Sequence, residues 1–147
     1  MSQRPLPASP NRQLDQAHIL RAPLVLISCS SHDHQIAEEF YQLLDHRGVA
    51  VWCSIYISPD EGCYVTTEEI LDLATHVILL VSADSASSRR VRSEIEYALS
   101  QEKVVIPIMI DKHPLPVWCS TLESINYEDL NSDEILSNLI KSFPVRV

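Results

Sequence analysis

Four apolar runs punctuate this chain. They are Leu24-Val25-Leu26-Ile27, Val49-Ala50-Val51-Trp52, Val77-Ile78-Leu79-Leu80-Val81 and Val104-Val105-Ile106-Pro107-Ile108-Met109-Ile110. The aliphatic cores of the first, third and fourth do not alternate with polar residues. Unbroken runs of this kind suit strands covered on both faces, as in a parallel sheet. Pro107 cannot donate to a ladder, so it predicts an edge position or a bulge in the fourth strand. Between the runs the apolar period lengthens to that of a helix. Residues 34–46 put Ile36, Phe40, Leu43 and Leu44 on one stripe, with Asp33 placed to cap the start and Gly48 just past the end. Shorter helical patterns cover 65–74, 89–101 and 132–143. The first offers Val65, Ile70, Leu71 and Ala74 to a core, and the second Val91, Ile95, Ala98 and Leu99. The third offers Ile135, Leu136, Leu139, Ile140 and Phe143, with Asn131 or Ser132 as its cap and Pro144 beyond its end. A short fifth strand is expected near Ser124-Ile125-Asn126-Tyr127.

Strands that alternate with helices predict an α/β fold joined by right-handed crossovers. Five strands suggest a flavodoxin-like three-layer sandwich, its five-stranded parallel sheet in the order 2-1-3-4-5. Residues 1–21 are polar and carry Pro5, Pro7 and Pro10, which predicts a flexible leader or linker before a folded domain at 22–147. In the proposed order the chain reverses direction between strands 1 and 3. The crevice there is lined by the segments 28–33 and 82–88, and ligands of open α/β sheets bind at such a place.

Composition narrows the chemistry. The chain has 147 residues, enough for one domain with a core, and 46% of them are hydrophobic. A net charge of −9 without a basic run argues against contact with a nucleic-acid backbone. No apolar run approaches the roughly 18 residues of a membrane span, and no secretory signal is visible. The four cysteines, Cys29, Cys53, Cys63 and Cys119, form no Cys-x-x-Cys pair and are read as reduced thiols of a cytoplasmic protein. With only two glycines, Gly48 and Gly62, the chain has neither a Rossmann fingerprint nor a P-loop. A phosphoacceptor aspartate is missing where strand 3 ends in Ser82, and Asp84 is displaced along the loop. His32 and His34 at i, i+2 do not converge on a metal, so no metal site is expected. Cys29 has the position of a nucleophile at a strand end, but no His–Asp relay can be assigned to it, and buried cysteine is the commoner case.

Glu94 stands apart. It lies three residues after Val91 and four before Ala98, both core-facing, so it borders the buried stripe of its helix. A location near the helix start also favours negative charge. The plainer alternative is a carboxylate that complements the helix dipole or pairs with Arg90 or Arg92. Glu96 points elsewhere and is expected in solvent.

The order of the motifs resembles the Toll/interleukin-1 receptor (TIR) domain family, in particular its bacterial members. The resemblance rests on Leu26-Ile27-Ser28-Cys29-Ser30-Ser31-His32-Asp33, then Gly48-Val49-Ala50-Val51-Trp52, then a loop with Pro59 and Gly62 in the place of the family's BB loop. Leu80-Val81-Ser82, Ser88 six residues before Glu94, and Ile106-Pro107-Ile108 complete it. It spans about residues 23–143.

The resemblance implies an NAD glycohydrolase or ADP-ribose cyclase, with NAD as substrate and no cofactor, acting in an antiviral defence or cell-death signalling response. Glu94 aligns with the glutamate such enzymes require. It would contact the ribose hydroxyls and steady an oxocarbenium-like transition state as the nicotinamide leaves. Ser30, Ser31 and His32 align with the segment that reaches the ligand, and Ser88 would help close the site. Ser54 and Tyr56 would contribute from the end of strand 2, where an aspartate commonly follows in the family. Arg90 replaces a tryptophan common in active members, and its guanidinium plane would supply part of the stacking. The loop between Cys53 and Cys63 would form a wall of the site and mediate self-association or docking to other TIR domains. The family equally implies a non-catalytic adaptor working through TIR–TIR contacts. A nucleoside deoxyribosyltransferase-like enzyme, which also uses a glutamate on a related fold, is a third reading.

Overall fold

The computed structural model describes residues 24–54, 67–131 and 133–143. The expected leader at 1–21, Tyr56, most of the loop between Cys53 and Cys63, Val65, the capping candidate Ser132 and Pro144 lie outside the described residues. The elements run β1 (Leu24–Ser28), α1 (His34–His46), β2 (Val51–Cys53), α2 (Thr67–Leu73), β3 (Ala74–Val81), α3 (Ala83–Ala86), α4 (Arg89–Ser100), β4 (Val104–Met109), β5 (Ile125–Asn126) and α5 (Asp133–Lys141). The strands form one parallel sheet in the order β2-β1-β3-β4-β5, the flavodoxin-like order expected of the sequence.

The continuous apolar runs are explained by what covers the sheet. Successive side chains along a strand face opposite layers. Val25, Ile27, Cys29, Ile78 and Leu80 pack towards α1 and α5. Leu26, Val77, Leu79 and Val81 pack towards α2 and α4. The doubly covered stretches, Val25 to Ile27 and Val77 to Val81, are therefore apolar at every position. Ala37, Phe40 and Leu44 of α1 are fully buried, as are Val91, Ile95 and Ala98 of α4. Full burial of side chains of this size contributes roughly 1.5–3 kcal/mol each for the larger ones.

Pro107 shows how the fourth run tolerates a missing donor. It sits opposite Leu79 of β3 with no shift of register, so no bulge forms there. β5 pairs only with Ile108 and Met109. At Pro107, β4 is therefore locally an edge, although the strand as a whole is interior.

Three local expectations are corrected. Helix α1 does start after Asp33, but that side chain makes no capping bond. A turn of 3-10 helix, Ser31–Asp33, precedes α1, and Ser30 caps it by accepting from the His32 backbone N–H at 3.1 Å. The predicted polar loop at 82–88 contains the single-turn helix α3, held by a reciprocal capping box between Ser82 and Ser85. The helix expected at 65–74 ends at Leu73, and Ala74 opens β3. Beyond α1, Gly48 has φ +82, a conformation that a side chain would strain.

Candidate active site

The carboxyl ends of β1, β2 and β3 carry most of the buried polar residues of the described structure. Ser28, Ser30, Ser54, Ser82, Ser85 and Glu94 are all buried. Alternation along β1 explains the pairing. Leu26 faces the α4 layer, so Ser28, two residues on, faces it as well, and there it meets Glu94. The Ser28 hydroxyl donates to Glu94 Oε1 at 2.6 Å. Ser28 is the buried partner of Glu94 that sequence reasoning missed. Its signal was a hydroxyl that ends an apolar strand on the same face as its core neighbours.

Glu94 is 5% exposed, which places it within the buried stripe. The dipole argument is corrected: α4 begins at Arg89, capped by Ser88, so Glu94 is in the second turn, beyond the reach of the helix-end field. Its other oxygen, Oε2, accepts from Arg90 Nη1 at 2.9 Å. Both the inward position and the pairing with Arg90 therefore hold at once. Arg90 is also anchored elsewhere. Its Nη2 donates to the Cys29 carbonyl at 2.6 Å and its Nη1 to the Ser54 hydroxyl at 3.3 Å. One guanidinium thus joins the ends of β1 and β2 to α4.

The other predicted residues surround this pair. Ser30, Ser31, His32, Ser88 and Arg90, with Asp84 and Ser87, line a cavity of about 280 Å³. Ser30 lies 3.3 Å from His32 Nδ1, and the Ser88 hydroxyl accepts from the Val91 N–H at 3.2 Å. Ser31 and His32 are exposed. Glu94 is not among the wall residues, but it is bonded to Arg90, which is. The volume is at the lower edge of small-molecule pockets, which span roughly 300–1,000 Å³. A larger cavity of about 580 Å³ lies between the start of β4 and α5, lined by Val104, Ile106, Ile135 and Leu139 among others. It is at the amino end of the strands, away from the switch crevice, and it holds none of the candidate residues.

Cys29 and Cys119 are poorly suited to act as nucleophiles. Cys29, Cys53 and Cys119 are buried and free of disulfides, whereas Cys63 lies outside the described residues. A hydrogen bond with Cys53, and then burial, push the Cys29 thiol far above its usual range, so it stays protonated. Burial also raises Cys119, to about 11. Beside the cavity, burial holds the Asp33 carboxyl above its usual value. The Ser82 hydroxyl, which donates to Asp33 Oδ2 at 2.5 Å, opposes that shift, and the nearby charges of Asp84 and Asp111 add to it. Among the described residues, no group of His, Cys, Asp and Glu could hold a metal ion, and no helix is long and apolar enough to cross a membrane.

Comparisons with known proteins agree with this fold. Residues 25–140 match the family model of the TIR domain. Among solved structures, the chain is similar to the TIR domain of the Toll-related receptor TRR-2 from Hydra magnipapillata. The TM-score is 0.68 at 16% identity, with 80% of this chain and 95% of that chain covered. At that identity the likeness concerns the fold. A search of curated proteins finds no match.

Proposed function

This chain belongs to the TIR-domain family, and from that premise we propose that it cleaves NAD at the nicotinamide–ribose bond. The observation that carries the reading is Glu94: a buried carboxylate, 5% exposed, bonded to Arg90, which lines a serine-rich cavity at the switch point of a parallel sheet. TIR domains are signalling modules that act through contacts with other TIR domains. The proposed setting is a cytoplasmic defence or cell-death response, with activity raised by self-association through the loop between Cys53 and Cys63.

Catalysis follows from charge. As the C1′–N bond breaks, its electron pair stays on the nicotinamide nitrogen, which leaves neutral. Positive charge develops on the ribose. A carboxylate held at the ribose hydroxyls opposes that charge, and the low-polarity surroundings strengthen the interaction. Water then adds at C1′ and gives ADP-ribose and a proton. Interception by a hydroxyl of the same molecule gives a cyclised isomer instead. Ser28 steadies one oxygen of Glu94 throughout. Ser30, Ser31 and His32 line the entry to the ribose, and Ser88 stands on the opposite wall. Ser54, which accepts from Arg90 Nη1, and Tyr56 are proposed to contribute from the end of strand 2. No cofactor is required.

A second reading, a non-catalytic TIR adaptor or scaffold, draws support from the same ion pair, since Arg90 already occupies Glu94. Incubating concentrated protein with NAD and resolving the products separates the two. Nicotinamide release that disappears in Glu94→Ala is expected. No release from clustered wild-type protein would leave the adaptor.

A further inference from the structure

We infer that Arg90 is a positioning residue that withholds the Glu94 carboxylate until substrate enters, and that cleavage requires it to turn outward. The inference rests on the reading of Glu94 as the catalytic carboxylate.

Both oxygens of Glu94 are engaged. Oε1 accepts from Ser28 at 2.6 Å and Oε2 accepts from Arg90 at 2.9 Å. The two donors differ in kind. Ser28 is fully buried on a central strand and has no freedom to leave. The Arg90 side chain is 45% exposed and forms part of the cavity wall, so a rotation about its own torsions would carry it into solvent. Arg90 engages the second oxygen of the carboxylate and is itself part of the cavity wall. A ribose hydroxyl approaching from Ser30, Ser31 and Ser88 has to take the place of Nη1.

The hold is specific to a guanidinium. Its planar fork donates in several directions at once, here to Glu94 Oε2, Ser54 Oγ and the Cys29 carbonyl. A lysine has one ammonium and cannot reproduce all three contacts. A glutamine or alanine cannot supply the charge. Without substrate the covered state dominates, and substrate has to displace it. An apparent dissociation constant rises in inverse proportion to the competent fraction. Arg90 therefore raises KM more than it changes kcat.

The test uses the full chain and compares wild type with Arg90→Ala, Arg90→Lys, Glu94→Gln and Arg90→Ala/Glu94→Gln. Nicotinamide release is followed over a range of NAD concentrations. In parallel, carboxyl labelling by a water-soluble carbodiimide and glycine ethyl ester is read by mass spectrometry on the peptide that contains Glu94. The expected result is a KM for NAD lower by roughly tenfold in Arg90→Ala, with kcat changed by less than about threefold. Arg90→Lys should fall between it and wild type, and both Glu94→Gln proteins should be inactive. Labelling of Glu94 should rise several-fold in Arg90→Ala at a temperature where thermal melts show the variant, although less stable, to be folded. A kcat that collapses in folded Arg90→Ala would overturn the inference, because Arg90 would then be holding Glu94 in its working position. Unchanged labelling would overturn it too. Should no variant release nicotinamide while labelling still rises, the withholding contact stands and the NAD-cleavage reading falls.

Discussion

Helix α4 carries the same ion pair twice, and only one copy has consequences. Arg90–Glu94 and Arg92–Glu96 share the i, i+4 spacing, with N···O distances of 2.9 and 3.1 Å. The Arg92 and Glu96 side chains are 56% and 52% exposed, whereas Glu94 is 6% exposed. The outer pair interacts across water and is screened by salt, so its contribution is small. The inner pair is closed off by the ends of β1 and β2, and it shares its partners with Ser28, Ser54 and the Cys29 carbonyl. A two-residue step around the helix separates a buried carboxylate from a solvated one. The lesson is that local spacing describes the pair, while the neighbouring layer decides what the pair does.

The comparison breaks most sharply at Glu94 itself. Glu94→Ala should lower NAD cleavage by at least about a hundredfold, as removal of a charge-stabilising group does, while Glu96→Ala leaves it unchanged. Nicotinamide release measured on both proteins checks this, and equal loss would remove the distinction. The next largest effect is on folding. Ser28→Ala strips the donor from a buried carboxylate oxygen and should cost about 1–3 kcal/mol in a urea titration. Glu96→Ala should alter stability by less than about 0.5 kcal/mol, and raising salt should erase even that difference.

The smallest effect sharpens the picture of the cavity rim. Asp33 has its pKa raised in the fold, mainly by burial. The folded state thus holds that proton more tightly than the unfolded chain. Its contribution to stability is greatest at pH below about 3.8 and declines as pH climbs through the raised folded value. Asp33→Asn should flatten that decline in a series of thermal melts taken from acid upward. A steeper decline in the variant would reverse the assignment.

Much of the fold was legible in the residues. Unbroken aliphatic runs with amphipathic segments between them specify a sheet covered on both faces, and the limits of α1 follow from its apolar stripe and from Gly48. Other features were not legible. Asp33 reads as a cap, yet its carboxylate is drawn to Ser82, 49 positions away. Pro107 reads as an edge or bulge residue, and it is tolerated because β5 pairs with only two residues of β4. In both cases the deciding partner is remote in the chain, and local pattern carries no record of it.

The same division holds at the site. The order of apolar and polar segments by itself determined a parallel α/β sheet, the crevice beside its first and third strands, and a glutamate on the inner border of α4. Only tertiary structure decided that Ser28 and Arg90 occupy the two oxygens of that glutamate. Periodicity is a property of neighbouring residues and survives in the bare chain. A buried hydrogen bond exists only once strands 66 positions from their partner are brought to within 2.6 Å of it.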